Sequence, residues 1–224
     1  MIRNIIKTSD GSTTIFLPEW QETYHSKHGA IQEAYHVFIK NGFYHCLEQR
    51  KLNAIQLLEI GFGTGLNCFI TYLESEKSSI QIDYVGIEAF PITDAEFQQL
   101  NYIDELKSND KKTIFEAIHQ VSWNQKNNIS PHFNLLKRLK KIENIRDENC
   151  FDLIYFDCFG AQVQPELWTE TMFEKMYKAL KLNGILVTYA AKGSVRRAMQ
   201  AVGFQTERLP GPPGKREMLR ATKL

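Results

Sequence analysis

Residues 55–67 read Ile-Gln-Leu-Leu-Glu-Ile-Gly-Phe-Gly-Thr-Gly-Leu-Asn, and they decide the fold. The first six form a short apolar run of strand length. Gly61, Gly63 and Gly65 lack Cβ atoms, so the chain can turn tightly there and come close to a ligand. Residues 66–73 then suit a helix. A second unit repeats the order: residues 80–87 suit a strand ending at Glu88, and Thr93 with Glu96 has capping-box spacing for a helix running to about residue 106. Two successive strand–helix units imply a sheet covered by helices.

Outward from this pair the pattern continues. Residues 133–139 suit a third strand, and Phe151-Asp152-Leu153-Ile154-Tyr155-Phe156 is a buried-strand pattern that stops at Asp157. Phe173, Met176, Tyr177 and Leu180 mark a helix face closed by Asn183-Gly184. Residues 185–190 are a further strand, and Ser194 can cap a helix carrying Val195, Met199 and Val202 that Gly203 ends. Residues 204–209 and 217–222 suit two terminal strands, while residues 124–131 read as a loop. Residues 1–50 do not read as the first strand of the main sheet. Ile31, Ala34, Val37 and Phe38 have roughly helical spacing, so the segment is expected to be an extension packed on a catalytic domain of residues 51–224, with its polar cluster near Tyr24 reaching a cleft.

The composition limits the function classes. The 224 residues are 43% hydrophobic and 24% charged, which fits one folded domain. Lys plus Arg is 27 against 26 for Asp plus Glu, a net +1 that rejects a uniformly basic coat. Cys46, Cys68, Cys150 and Cys158 form no CxxC pair, which argues against a zinc knuckle or a disulfide scaffold. His25 and His28 lack partners at ligand spacing, so no metal is expected. No signal peptide and no long apolar span is visible, so no membrane association is expected and the cytoplasm is the expected compartment.

The glycine run misses the P-loop pattern, because no Gly-Lys-Ser/Thr follows, and it misses GxGxxG because Leu66 stands in the third glycine position. Glu88 closes the next strand, and its carboxylate can accept both hydroxyls of a ribose diol. These residues alone leave three readings: S-adenosylmethionine binding, a dinucleotide, or a structural turn. Asp157, at another strand end, is either a structural carboxylate or a residue that positions an amine. Cys158 has no neighbouring histidine to activate it as a nucleophile.

Leu58-Glu59-Ile60-Gly61-Phe62-Gly63-Thr64-Gly65-Leu66-Asn67 resembles the cofactor motif of Rossmann-like class I methyltransferases. Further stretches narrow the resemblance: Tyr155-Phe156-Asp157, Gln164-Pro165-Glu166-Leu167-Trp168, and Thr188-Tyr189-Ala190-Ala191-Lys192-Gly193-Ser194-Val195-Arg196-Arg197. With Gly203-Phe204 and Leu209-Pro210-Gly211-Pro212-Pro213-Gly214-Lys215-Arg216-Glu217-Met218, they resemble the stand-alone tRNA 5-aminomethyl-2-thiouridine methyltransferases over nearly the whole chain. The family usually has Asp-Ala-Phe-Ala-Pro where this chain has Asp157-Cys158-Phe159-Gly160-Ala161.

That resemblance implies a seven-stranded, mostly parallel α/β sheet with helices on both faces and an antiparallel last strand. It implies methylation of the amine of 5-aminomethyl-uridine, often 2-thiolated, at the tRNA wobble position. S-adenosylmethionine would sit on Glu59, Gly61, Phe62, Gly63, Thr64, Gly65, Asn67 and Glu88, with Asp157 holding the amine. Some relatives carry a fused FAD-dependent oxidase that makes the amine; no FAD is expected here, so another enzyme would supply it. The anticodon stem-loop would meet Tyr24, His25, Lys27, Lys192, Arg196, Arg197, Lys215 and Arg216. Residues 192–224 hold eight basic side chains against two acidic ones, the composition of a surface that can orient an RNA backbone, or of a solvated edge. Trp123 and Trp168 are candidates for stacking on loop bases, with core packing the alternative.

Overall fold

The computed structural model describes residues 2–224. The chain opens with three strands, β1 (Asn4–Lys7), β2 (Thr13–Leu17) and β3 (Glu22–Thr23), which pair antiparallel in a small sheet of their own. A helix follows in three continuous pieces: α1 (Ala30–Ala34), a π-helical stretch (Tyr35–Tyr44) and α2 (His45–Arg50). Gly42 lets this helix lie close on the main sheet, since a Cβ there would press into Val187 and Tyr155.

The main sheet begins with β4 (Ala54–Ile60), α3 (Leu66–Ser78) and β5 (Gln81–Glu88). Then come α4 (Asp94–Phe97), α5 (Tyr102–Glu105), α6 (Lys112–Gln120), β6 (Lys126–Ser130), β7 (Phe133–Leu139) and β8 (Phe151–Phe156). The chain closes with α7 (Glu170–Ala179), β9 (Leu180–Thr188), α8 (Gly193–Ala201), β10 (Phe204–Pro210) and β11 (Glu217–Lys223). Strand order is β10-β11-β9-β8-β4-β5-β7-β6. The five strands from β9 to β7 are parallel, and β11 runs antiparallel to both its neighbours.

Alternation along the strands builds two cores. Leu57, Leu153 and Tyr155 face the core under the helix of residues 30–50 and α3, while Leu58, Ile154 and Phe156 face the core shared with α7 and α8. Helices therefore cover both faces. None of them, among the described residues, is long and apolar enough to cross a membrane.

Four local readings need correction. The sheet has eight strands rather than seven, because β6 adds an antiparallel edge beside β7 in the stretch read as a loop. Its sequence, Lys-Asn-Asn-Ile-Ser, carries no apolar alternation; backbone pairing and the Lys126–Asp83 ion pair at 2.8 Å hold it. The capping box of Thr93 and Glu96 forms, but α4 lasts only four residues. The chain bends at Asn101, whose side chain accepts from the Thr13 amide at 2.8 Å and donates to the Gly11 carbonyl at 2.9 Å, docking the amino-terminal sheet. Asn183-Gly184 does not close a helix: α7 ends at Ala179, and Asn183, at φ 60°, bends β9 where its register on β8 shifts. Lys192, not Ser194, occupies the N-cap of α8, and no side chain caps that end.

Candidate functional site

The carboxyl ends of β4, β5 and β8 converge where ligands of such sheets bind. The Gly61 and Phe62 amides both donate to the Ile87 carbonyl at 3.0 Å, so the loop after β4 leans over the end of β5. Gly61 has φ 88°, and a Cβ there would collide with the backbone carbonyl oxygen of Asp157. The Phe62 ring lies against the backbone at Gly86. Glu88 then ties the loop down: Oε2 accepts from the Gly63 amide at 3.0 Å, and Oε1 accepts from the Ala89 and Phe90 amides at 2.9 Å.

Thr64 is buried, and its hydroxyl accepts from Tyr102 at 3.1 Å. His25 spans from that hydroxyl, 3.3 Å from Nε2, to the Thr14 hydroxyl, 3.0 Å from Nδ1. Burial pushes the imidazole down to about 4, so it is neutral at pH 7 and fastens the amino-terminal sheet to the glycine loop. His25→Ala is expected to cost about 1–3 kcal/mol of stability at pH 7 through the hydroxyls it strands. Because the folded value lies below the unfolded one, His25 stabilises the native state above the ordinary histidine range and loses that contribution as pH falls toward 4. Thermal melts should therefore show the gap between wild type and variant narrowing from pH 7 to pH 4.

Behind the loop lies a chain of polar groups. Tyr84 donates to Glu59 Oε2 at 2.8 Å, and the Asn67 amide nitrogen donates to both Glu59 Oε1 and Asp157 Oδ2 at 2.9 Å. Glu59 is wholly buried, which raises its carboxyl well above the usual range. Burial also pushes Asp157 up to about 7, aided by the charge of Glu33 and opposed by the Asn67 hydrogen bond and Lys215. Glu33, on α1, is buried; it accepts from the Ser26 amide at 2.7 Å and pairs with Lys215. The Lys215 ammonium sits 3.6 Å from the centre of the Tyr189 ring, and the Tyr189 hydroxyl donates to the Cys158 carbonyl at 2.7 Å. Burial raises the Cys158 thiol well above its usual range, the opposite of what a nucleophile needs.

Asp157 and the glycine loop share one cavity of about 760 Å³. Its aromatic wall comes from Trp20, Tyr24 and Phe159, with both other rings edge-on to Phe159 at 5.3 and 5.1 Å between centroids. Arg3 crosses the rim, donating to the Phe90 carbonyl at 2.7 Å and the Pro91 carbonyl at 3.0 Å while pairing with Glu96 at 3.2 Å. Lys140 and Lys141 line the β7 side.

Of the expected cofactor residues, Gly61, Phe62, Gly63, Thr64, Asn67 and Glu88 line this cavity, while Glu59 and Gly65 do not. Tyr24 and His25 also line it, but the other six expected substrate residues do not. Lys27 lies over the Phe16 ring at 5.2 Å, Lys192 is exposed and bonds Gln162 at 3.1 Å, and Lys215 is held by Glu33. Arg196 is half-buried, and Arg197 and Arg216 are exposed. Two further basic residues of the carboxyl segment are paired at home, Arg220 with Glu207 at 3.0 Å and Arg208 with Glu217 at 3.6 Å. Neither Trp123 nor Trp168 reaches the cavity; Trp168 is buried and donates to the Phe159 carbonyl at 2.8 Å. The sequence reading missed Arg3, Trp20, Glu33 and Phe159, none of which sits in a periodic pattern.

The glycine turns, which keep the loop free of Cβ atoms, and the Glu88 carboxylate at the end of β5 suit a cofactor that bears a diol. The sequence model of the S-adenosyl-L-methionine-dependent methyltransferase family matches residues 104–224, and the chain belongs to that family. It is 28% identical over 209 residues to the tRNA 5-methylaminomethyl-2-thiouridine biosynthesis bifunctional protein MnmC of Leptospira interrogans, with 90% of this chain and 32% of that protein covered. The protein of the same name from Cupriavidus metallidurans is 28% identical over 230 residues, covering 95% and 33%. The chain thus spans about a third of the length of these curated relatives. Among solved structures, MNMC2 from Aquifex aeolicus superposes with a TM-score of 0.78 at 22% identity, covering 100% of this chain and 70% of that one. Spermidine synthase from Thermotoga maritima shares the fold at a TM-score of 0.56 and 12% identity, covering 100% and 72%.

Proposed function

We propose that the chain methylates the exocyclic amine of 5-aminomethyl-(2-thio)uridine at the wobble position of tRNA, forming 5-methylaminomethyl-(2-thio)uridine. The observation that carries this reading is Asp157, a strand-end carboxyl pushed up to about 7 that opens into the same cavity as the glycine loop and Glu88. The names of the curated relatives support the choice of nucleoside.

When bound, S-adenosylmethionine supplies an electrophilic methyl carbon. The loop of Gly61, Phe62 and Gly63 with Glu88 would hold it, the Glu88 oxygens accepting from the ribose. The acceptor enters as an ammonium, which has no lone pair. Asp157 takes or relays its proton and holds the resulting amine, so that the N–C bond forms as the C–S bond breaks and S-adenosylhomocysteine leaves. A carboxyl with a value near 7 is far better matched to that proton than an ordinary aspartate. Trp20, Tyr24 and Phe159 provide the apolar wall on which an unstacked base can lie. Residues 1–50 serve as the substrate-side cover of the catalytic domain. Exposed Lys192, Arg197 and Arg216 are the side chains available to the anticodon stem-loop. The reading also requires another enzyme that supplies the aminomethyl group, and it places the protein with tRNA in the cytoplasm.

The test pairs tRNA bearing 5-aminomethyl-uridine with labelled S-adenosylmethionine and locates the label by nucleoside mass spectrometry. Label on the wobble side-chain nitrogen, absent from unmodified tRNA, is the expected result. Label at another position would reject the regiochemistry.

A further inference from the structure

Asn67 is 3% exposed, on the first turn of α3, and it lies in the cavity wall. Its amide nitrogen has two hydrogens and both are used, one on Glu59 Oε1 and one on Asp157 Oδ2, each at 2.9 Å. With Asp157 ionised, turning the amide over would set oxygen against oxygen at that contact, so the charged carboxylate favours this orientation. Glu59 is itself anchored by Tyr84. This leaves Oδ1 as a buried acceptor without a partner among the described residues.

We propose that Asn67 is a positioning residue for methyl transfer, its nitrogen tying the Asp157 carboxyl to the buried Glu59 and so aiming it at the acceptor amine in one orientation. This rests on the acceptor being a primary amine, as proposed above. The ammonium gives one proton to Asp157. The freed lone pair turns toward the methyl carbon. The N–C bond forms, the C–S bond breaks, and the electron pair of that bond leaves on sulfur. One rigid amide thus sets the direction of the base. The charged and titratable groups facing Asp157 are Glu59 on β4, Glu33 on α1, Lys215 in the β10–β11 turn and Tyr189 after β9.

Two measurements test this. In the wild-type protein without substrate, the Asn67 side-chain amide resonances should titrate with a midpoint near that of Asp157, about 7, and the titration should vanish in Asp157→Asn. Amide resonances that stay fixed across that range would overturn the link, whatever the substrate proves to be. In single-turnover methyl transfer, Asn67→Ala should be slower by about 10–100-fold while affinity for S-adenosylhomocysteine changes by less than about fivefold. Asn67→Asp would place a third carboxyl at hydrogen-bond distance from both Glu59 and Asp157, which disfavours ionisation of the cluster, so its pH profile should move up by about one unit or more. A rate loss matched by an equal loss of cofactor affinity, with the pH profile unmoved, would make Asn67 a cofactor ligand alone. Wild-type protein that transfers no methyl group to the aminomethyl nucleoside would reject the proposed reaction and leave the amide titration standing as its own result.

Discussion

Asp157→Asn is expected to slow single-turnover methyl transfer by about 10²–10⁴-fold, with cofactor affinity held within about threefold. The replacement keeps the shape of the side chain, and its oxygen can still accept the Asn67 hydrogen bond now made at 2.9 Å. What it removes is a carboxyl in the cavity wall able to take a proton near neutrality. The wild-type rate should rise as pH passes through about 7, where Asp157 ionises, and the variant should lack that rise. Stability should move the other way. The folded-state value of Asp157 lies above the ordinary aspartate value, so its contribution is fully present below that ordinary value and is lost as pH climbs through 7. The variant is free of this loss, and its melting temperature should exceed wild type by about 2 °C or more at pH 8, with a smaller difference at pH 5. A well-folded variant transferring methyl groups at near-normal rates would remove Asp157 from the chemistry.

The sheet was readable because its information is local. Residues 55–60 and 151–156 are apolar runs that end abruptly at a glycine and an aspartate, and both become buried strands whose ends frame the cavity. Strand β6 was invisible because an edge strand needs no buried face; its side chains are exposed or half-buried, and its place comes from pairing with β7. The break at Asn101 is a tertiary event, set by Thr13 and Gly11, nearly ninety residues away.

The site divides in the same way. Gly61, Glu88 and Asp157 stand at strand ends and announce themselves. Arg3, Trp20 and Glu33 reach the site from the first fifty residues through contacts with no period, so nothing in their spacing marks them. The charge count of the carboxyl segment overstates its free basic surface. Arg208, Lys215 and Arg220 are each matched to a carboxylate, and Glu33, the partner of Lys215, lies outside the counted segment. Composition records charges but not their partners.

Gly61→Ala is expected to weaken cofactor binding by about 30-fold or more and to cost about 3 kcal/mol of stability, the joint effect of backbone strain and a steric clash. At φ 88° an L-residue is strained before any neighbour is considered. The new methyl would also meet the Asp157 carbonyl oxygen, a backbone atom that cannot rotate aside. Relief requires the ends of β4 and β8 to separate, and that shift would carry the Asp157 side chain away from the glycine loop. Gly65→Ala provides the contrast within the same loop. Its φ of 70° imposes comparable strain, but its Cβ would meet the His119 ring at 3.1 Å, a milder contact than the one Gly61 would make with the Asp157 backbone oxygen. Calorimetric titration with S-adenosylhomocysteine and thermal melts on both variants should rank Gly61→Ala well below Gly65→Ala. Equal binding by the two would mean that strain alone sets the loop, and that the crossing of Gly61 over Asp157 does not shape the cavity.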